Sequence, residues 1–138
     1  SVRLAALGKL SGAGLFAGVL LMPVLPFLED SDESVLAVVE GAAQSGARFV
    51  YPCFGVTMRQ GQREYFLDGL ERAFPGQGLK ERYLRRFGDR YQCACPRAKE
   101  LWAVFTAACR ARGILYDMRS IVQAATLGYG DRQLTFFD

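Results

Sequence analysis

Residues Val19 to Leu25 carry neither charge nor a side-chain hydrogen-bonding group, and Gly18 and Pro26 bound the run. Both faces of such a segment favour burial, which predicts an interior strand of a parallel sheet. Pro23 lacks an N–H and is tolerated at an edge, a bulge or a strand end. Pairing is therefore expected to stop near Met22, with Pro23 to Pro26 leaving as an extended segment at the strand's carboxyl end. In α/β sheets that end is where ligands bind. Upstream, Leu4, Leu7 and Leu10 recur at three-residue spacing and predict a helix that Gly12 or Gly14 stops. Downstream, Asp30-Ser31-Asp32-Glu33 supplies capping side chains and first-turn negative charge, and these acids are also placed to touch a ligand. Val35, Leu36, Val39, Ala42 and Ala43 form the buried stripe of the helix that follows, ended by Gly46. Phe49-Val50-Tyr51 is a second strand, stopped by Pro52. Helix, strand, helix, strand predicts a right-handed parallel crossover. Two strands do not make a stable sheet alone, so the unit is expected to need neighbours.

After the second strand, residues 53–61 read as a loop and the pattern turns helical. Phe66, Leu70 and Phe74 form one stripe, closed by Pro75-Gly76; Leu79, Tyr83, Leu84 and Phe87 form another, ended by Gly88. Lys80, Arg82, Arg85 and Arg86 fall mostly on the far side of that second helix, a basic face of the kind that water usually solvates. Pro96 is suited to open a long helix whose core face is Ala98, Leu101, Trp102, Phe105 and Cys109. Ile114-Leu115-Tyr116 links it to a last helix capped by Asp117, and Gly128-Tyr129-Gly130 releases a tail.

Composition narrows the class. The chain has 138 residues, 51% of them apolar and 22% charged, as in a globular protein with room for one domain. The apolar stretch 13–28 is shorter than the ~20 residues that span a bilayer and contains two prolines. With no Arg-rich leader before it, a cytoplasmic location without membrane contact is expected. Net charge is +3 but uneven. Residues 1–54 hold three Lys or Arg against five Asp or Glu, and residues 55–138 hold fourteen against nine, so the second half suits an anionic partner.

There is no histidine, which removes His-based general base catalysis, His-ligated zinc and His-dependent triads from this chain. Cys53, Cys93, Cys95 and Cys109 match no zinc or iron–sulfur spacing. Gly12-x-Gly14-x-x-x-Gly18 follows a helix and precedes a strand, the reverse of what a phosphate-cradling loop requires.

A longer pattern runs through the chain. Arg3-Leu4-x-x-Leu7-x-Lys9-Leu10-Ser11-x-Ala13-Gly14, followed by Gly18 to Pro26, resembles the fifth helix–strand step of a radical S-adenosylmethionine barrel. Gly55-Val56-Thr57-Met58-Arg59-x-Gly61-Gln62-Arg63-Glu64-Tyr65-Phe66 is similar to the spore photoproduct lyase-like branch of that superfamily. So are Phe74-Pro75-Gly76, Arg90-Tyr91-x-Cys93, Ala98-Lys99-Glu100-Leu101 and the end Gln133-Leu134-Thr135-Phe136-Phe137. The resemblance keeps its order over nearly the whole chain and covers the family's C-terminal half.

It implies an α/β fold: residues 1–56 as the last helix–strand units of a partial (β/α) barrel, 57–130 as a mostly helical C-terminal region, and 131–138 as a tail. It implies S-adenosylmethionine held beside a 4Fe–4S cluster in the complete protein, a 5′-deoxyadenosyl radical, and nucleic-acid chemistry such as a DNA-repair lyase performs. The family's CxxxCxxC motif is absent, so this chain alone is expected neither to bind those cofactors stably nor to catalyse, and the N-terminal half of the same barrel is its expected partner. Leu20 and Met22 stand where the family's strand packs on adenine, with core packing as their alternative. Cys93 and Cys95 are candidates for hydrogen-atom donors, a redox pair or extra cluster ligands, against a role as structural thiols. Gln133, Leu134, Phe136 and Phe137 resemble the peptide with which bacterial repair proteins dock on the sliding clamp, against an apolar tail folded on its own domain. The competing function is a non-enzymatic clamp- or nucleic-acid-binding helical module.

Overall fold

The computed structural model describes residues 1–127, a mixed arrangement of six helices and four short strands. Helix α1 (Val2–Gly12) starts at Ser1, whose Oγ accepts from the Leu4 N–H at 3.4 Å. Strand β1 (Gly18–Leu21) follows, then α2 (Asp32–Gln44) and β2 (Phe49–Pro52). Ser31, rather than either neighbouring acid, caps α2, its Oγ accepting from the Ser34 N–H at 3.1 Å. β1 and β2 pair in parallel, Gly18 opposite Phe49 and Leu21 opposite Pro52. The two backbones approach so closely that a Cβ on Gly18 would sit 2.3 Å from the Phe49 carbonyl oxygen. The Phe49 ring stacks on Phe16 at 5.5 Å.

Residues 53–61, expected as a loop, contain a strand. β3 (Gly55–Thr57) pairs antiparallel with β4 (Gln92–Ala94), and between them lie α3 (Gln62–Ala73) and α4 (Leu79–Phe87). Backbone bonds from Met58 N–H to Tyr91 O (2.8 Å) and from Cys95 N–H to Phe54 O (3.0 Å) lengthen this ladder at both ends. Three-residue strands such as Gly-Val-Thr and Gln-Cys-Ala are too short for alternation to register.

Helix α5 (Ala98–Ala111) begins two residues after Pro96, not at it. It lies inside the stretch read as a helical C-terminal region, yet it packs back on α2. Arg97 meets Asp32 at 3.1 Å, and Arg112 Nε donates to Glu40 Oε2 at 2.8 Å, one pair near each end of α5. Beyond α5, Leu115 makes a parallel bridge to Phe49; Val50 N–H donates to Leu115 O at 2.9 Å and Leu115 N–H to Arg48 O at 3.0 Å. The chain therefore makes two successive parallel crossovers, β1–α2–β2 and β2–α5–Leu115, with residues 53–95 inserted in the second. Helix α6 (Met118–Thr126) ends the described residues, capped by Asp117, whose carboxylate accepts from the Ser120 N–H at 2.8 Å.

Two hydrophobic clusters result. The first gathers Val24, Val35, Val39, Val50, Leu101 and Phe105 between the parallel strands and α2 and α5. Each such side chain contributes roughly 1.5–3 kcal/mol when fully buried. The second gathers Met58, Leu67, Leu70, Leu79, Tyr83 and Phe87 in the inserted unit. Leu36, Leu84 and Trp102, expected inside, are partly exposed because each sits at the margin of its helix's buried stripe. The two clusters meet where the chain leaves β1: Val24 is in the first, Phe27 packs on the second, and between them the buried Tyr83 hydroxyl donates to the Pro26 carbonyl at 2.8 Å. Removing that hydroxyl strands a buried acceptor, at a cost of about 1–3 kcal/mol. Tyr83→Phe is expected to lower the free energy of unfolding by that amount, read as a lower urea midpoint with an unchanged m-value; an unaltered midpoint would show that the bond does not tie the two clusters together.

Candidate ligand groove beside the first strand

Among the described residues β1 has a strand on one side only. Its other edge opens onto a groove of about 520 Å³ between α1 and α2, walled by Leu4, Leu7, Val19, Leu21 and Val38. A second cleft of about 450 Å³ continues from it past the carboxyl end of β1, where Arg3, Glu29 and Ser34 join Leu20, Met22 and Pro23. Leu20 and Leu21 line both. Both volumes fall in the range of small-molecule sites; the first groove has the mostly apolar wall usual for them, and the second cleft is about as polar as apolar.

The strand's alternation decides which side chains also pack on the core and which stand free of it. Val19 and Leu21 pack on the first cluster, and Leu20 is turned away from it. Leu20 is 62% exposed and Met22 41% exposed. Core packing, the alternative for both residues, is therefore not what holds them. They stand at the strand's carboxyl end, as the sequence pattern placed them. The Met22–Pro23 peptide is cis. Cys53 bonds the chain on both sides of that peptide, its N–H donating to Leu21 O before it and its carbonyl accepting from Val24 N–H beyond it, both at 2.9 Å. The segment after Pro23 is thus tied back rather than freely extended: Val24 and Pro26 are buried, while Pro23 stays exposed.

The polar groups of the cleft escaped the sequence reading. Arg3 comes from the first turn of α1, Ser34 from α2, and Glu29 from the loop after β1, where its carboxylate accepts from the Leu25 N–H at 3.0 Å. Arg3 opens the pattern of the resemblance without a role in it, and no local motif marks Glu29 or Ser34, because three separate segments bring these residues together.

The cysteines are not part of this cleft. Cys93 and Cys95 are both buried, Cys93 in the second cluster and Cys95 in the first. Burial raises the Cys93 thiol, and it pushes Cys95 up to about 12 and Cys109 up to about 11. Such thiols are protonated at neutral pH and poor as nucleophiles or ligands. Among the described residues no group of three or more His, Cys, Asp or Glu is placed to hold a metal. The donor set for an iron–sulfur cluster is not assembled by these residues. Of the acids after β1, Asp32 pairs with Arg97. On α4, Lys80 is paired with Asp68 at 2.7 Å, which leaves Arg82, Arg85 and Arg86 as a separate group. Gln133, Leu134, Phe136 and Phe137 lie outside the described residues.

No protein-family model matches the chain, and no solved structure does. Over 86 residues it is 37% identical to an uncharacterized protein of Mycobacterium bovis and to one of Mycobacterium tuberculosis. The matched region is 62% of this chain and spans a quarter of the length of those relatives. Among the described residues no helix is long and apolar enough to cross a membrane.

Thiol accessibility should follow burial. Cys53 is expected to react with iodoacetamide in the folded protein, and Cys93, Cys95 and Cys109 only on unfolding. The Cys95 and Cys109 thiols ionise near 9.0 when unfolded and are pushed up to about 12 and about 11 when folded, and burial raises Cys93 in the same direction. Stability is therefore fully present below pH 9 and lost progressively between pH 9 and about 12, where the unfolded chain alone releases these protons. Rapid modification of Cys95 at neutral pH, or a urea midpoint that rises across that window, would contradict this assignment.

Proposed function

We propose that this chain forms the C-terminal part of a cytoplasmic radical S-adenosylmethionine enzyme of the spore photoproduct lyase-like branch, acting on nucleic acid. The observation that carries the reading is the exposure of Leu20 and Met22 at the carboxyl end of β1, on the strand whose sequence resembles the adenine-packing step of that barrel. The progressive parallel order β1, β2, Leu115, with α2 and α5 behind it, agrees with a partial barrel.

In this reading the N-terminal half of the barrel pairs along the free edge of β1 and fills the apolar groove. An unpaired parallel edge beside exposed leucines is a surface that another strand would cover. Leu20 and Met22 would form an apolar wall for the adenosyl group, and Arg3, Glu29 and Ser34 the polar end of the cleft. When bound, S-adenosylmethionine supplies a radical, with the electron coming from a 4Fe–4S cluster held elsewhere in the protein. The described residues of this chain bind and orient; they contain no group that would deliver the electron.

Leu20→Asp, in the full-length protein reconstituted anaerobically with its cluster, is expected to weaken S-adenosylmethionine binding by roughly tenfold or more, the cost of a charge against an apolar face. Release of 5′-deoxyadenosine on reduction is the assay. A reconstituted protein that releases none defeats the enzyme reading. A Leu20→Asp variant that binds normally removes the residue from the site.

The same reading assigns the tail to the bacterial sliding clamp, with Gln133 as a hydrogen-bonding anchor and Leu134, Phe136 and Phe137 as apolar ones. A peptide of residues 129–138 should bind the clamp with micromolar affinity, and its Phe136→Ala/Phe137→Ala form should not. Absence of binding in the high micromolar range rules the docking out.

A further inference from the structure

Helix α4 is strongly two-sided. Leu79, Tyr83 and Phe87 are buried, while Arg82, Arg85 and Arg86 are exposed together on one flank. Their spacing of three and four residues puts them on neighbouring turns of one face. Together with Phe27 and Pro96 they line a depression of about 460 Å³ with no carboxylate in its wall. Among the described residues none of the three arginines joins an ion pair or donates a side-chain hydrogen bond, whereas Lys80, Arg97 and Arg112 each have an acidic partner.

The floor of the depression is unusual. Phe27 holds φ at 66°, a left-handed conformation that a bulky residue rarely adopts and that costs about 1–3 kcal/mol. Packing offsets this cost. The Phe27 ring meets Tyr83 edge-on at 5.4 Å and Phe87 at 5.9 Å, and the Arg82 guanidinium lies over it, 4.1 Å from its centroid. Stacking occupies one face of the guanidinium and leaves its in-plane N–H donors unspent. A stacked arginine is thereby pre-organised for a bidentate oxyanion. Glu81 and Asp89 flank the arginines along the chain, and among the described residues neither comes within ion-pair distance of them; Glu29, beside Phe27, is engaged with the Leu25 N–H.

We infer that Phe27, Arg82, Arg85 and Arg86 form a binding surface for the phosphodiester backbone of DNA. Three adjacent guanidinium groups with no ion-pair partner among the described residues match successive phosphates, and the exposed Phe27-floored depression between them leaves room for a flexible strand. The surface lies on the inserted unit and shares no lining residue with the groove along β1. The inference rests on the nucleic-acid half of the function proposed above and is independent of radical chemistry.

The test is fluorescence anisotropy of a labelled single-stranded DNA oligonucleotide with the full-length protein carrying this sequence, titrated over salt. R82A/R85A/R86A should lose affinity on the order of tenfold or more, and its salt slope should be shallower by about two. R85A/R86A, which keeps the Arg82–Phe27 stack and with it the fold, should shift in the same direction. The equally charged control K9A/K99A/R119A should bind as the parent does. Equal binding by parent and triple variant, an equal loss in the control, no binding by the parent at low salt, or competition by polyglutamate as effective as by unlabelled DNA would each overturn the surface. Release of 5′-deoxyadenosine without DNA is scored separately, so a radical enzyme lacking this surface and a DNA-binding protein lacking the radical step give different results.

Discussion

The buried hydrogen bond from the Tyr83 hydroxyl to the Pro26 carbonyl links the two halves of this molecule. Pro26 belongs to the segment that leaves β1, and Tyr83 is the centre of the inserted unit's aromatic cluster. Between Val24 and Leu28 the backbone passes from one hydrophobic cluster to the other, so its polar groups must be satisfied inside the protein. Val24 N–H is bonded to Cys53 O, Val24 O lies 3.4 Å from the Cys95 thiol, and Leu25 N–H is taken by Glu29. With burial pushing the Tyr83 phenol well above its ordinary ionisation range, the donor stays protonated at any physiological pH.

That constraint separates two surfaces with opposite chemistry. Along β1 the chain presents an apolar groove and an unpaired strand edge, with Leu20 turned outward. Such an edge is a liability unless something covers it. On the far side of Val24–Leu28, Phe27 is pressed against α4 and brings to one depression three arginines that have no ion-pair partner among the described residues. The stretch from Met22 to Phe27 forms part of the cleft wall through Met22 and Pro23 and the floor of the basic surface through Phe27. A change that loosens it should disturb both surfaces together, whereas changes at Arg85 or Leu20 act on one alone.

Local pattern was a good guide where the physics is local. Helical stripes, the Asp117 cap, glycine stops after α2 and α4, and the parallel pairing of two apolar strands all follow from periodicity and from the conformations that glycine and proline permit. It failed where partners are distant. β3 and β4 are three residues each and lie more than thirty residues apart, so neither shows as a strand until the other is beside it. Leu115 reads as a link because its pairing partner, Phe49, is set by α5 docking on α2. Trp102 and Leu36 fit their helical stripes, but the neighbouring elements stop short of covering them.

By itself the sequence determined the helices, the two apolar strands and the exclusion of histidine chemistry, because each depends on residues within a turn or two of one another. It also marked Leu20 and Met22 at a strand's carboxyl end. Only the tertiary structure decided that these two face open space rather than core, since one residue of alternation chooses between them and the choice is made by where α2 and α5 pack. Burial of Cys93 and Cys95, the gathering of Arg3, Glu29 and Ser34, and the stacking of Arg82 on a left-handed Phe27 were likewise settled by distant segments meeting, which no local spacing encodes.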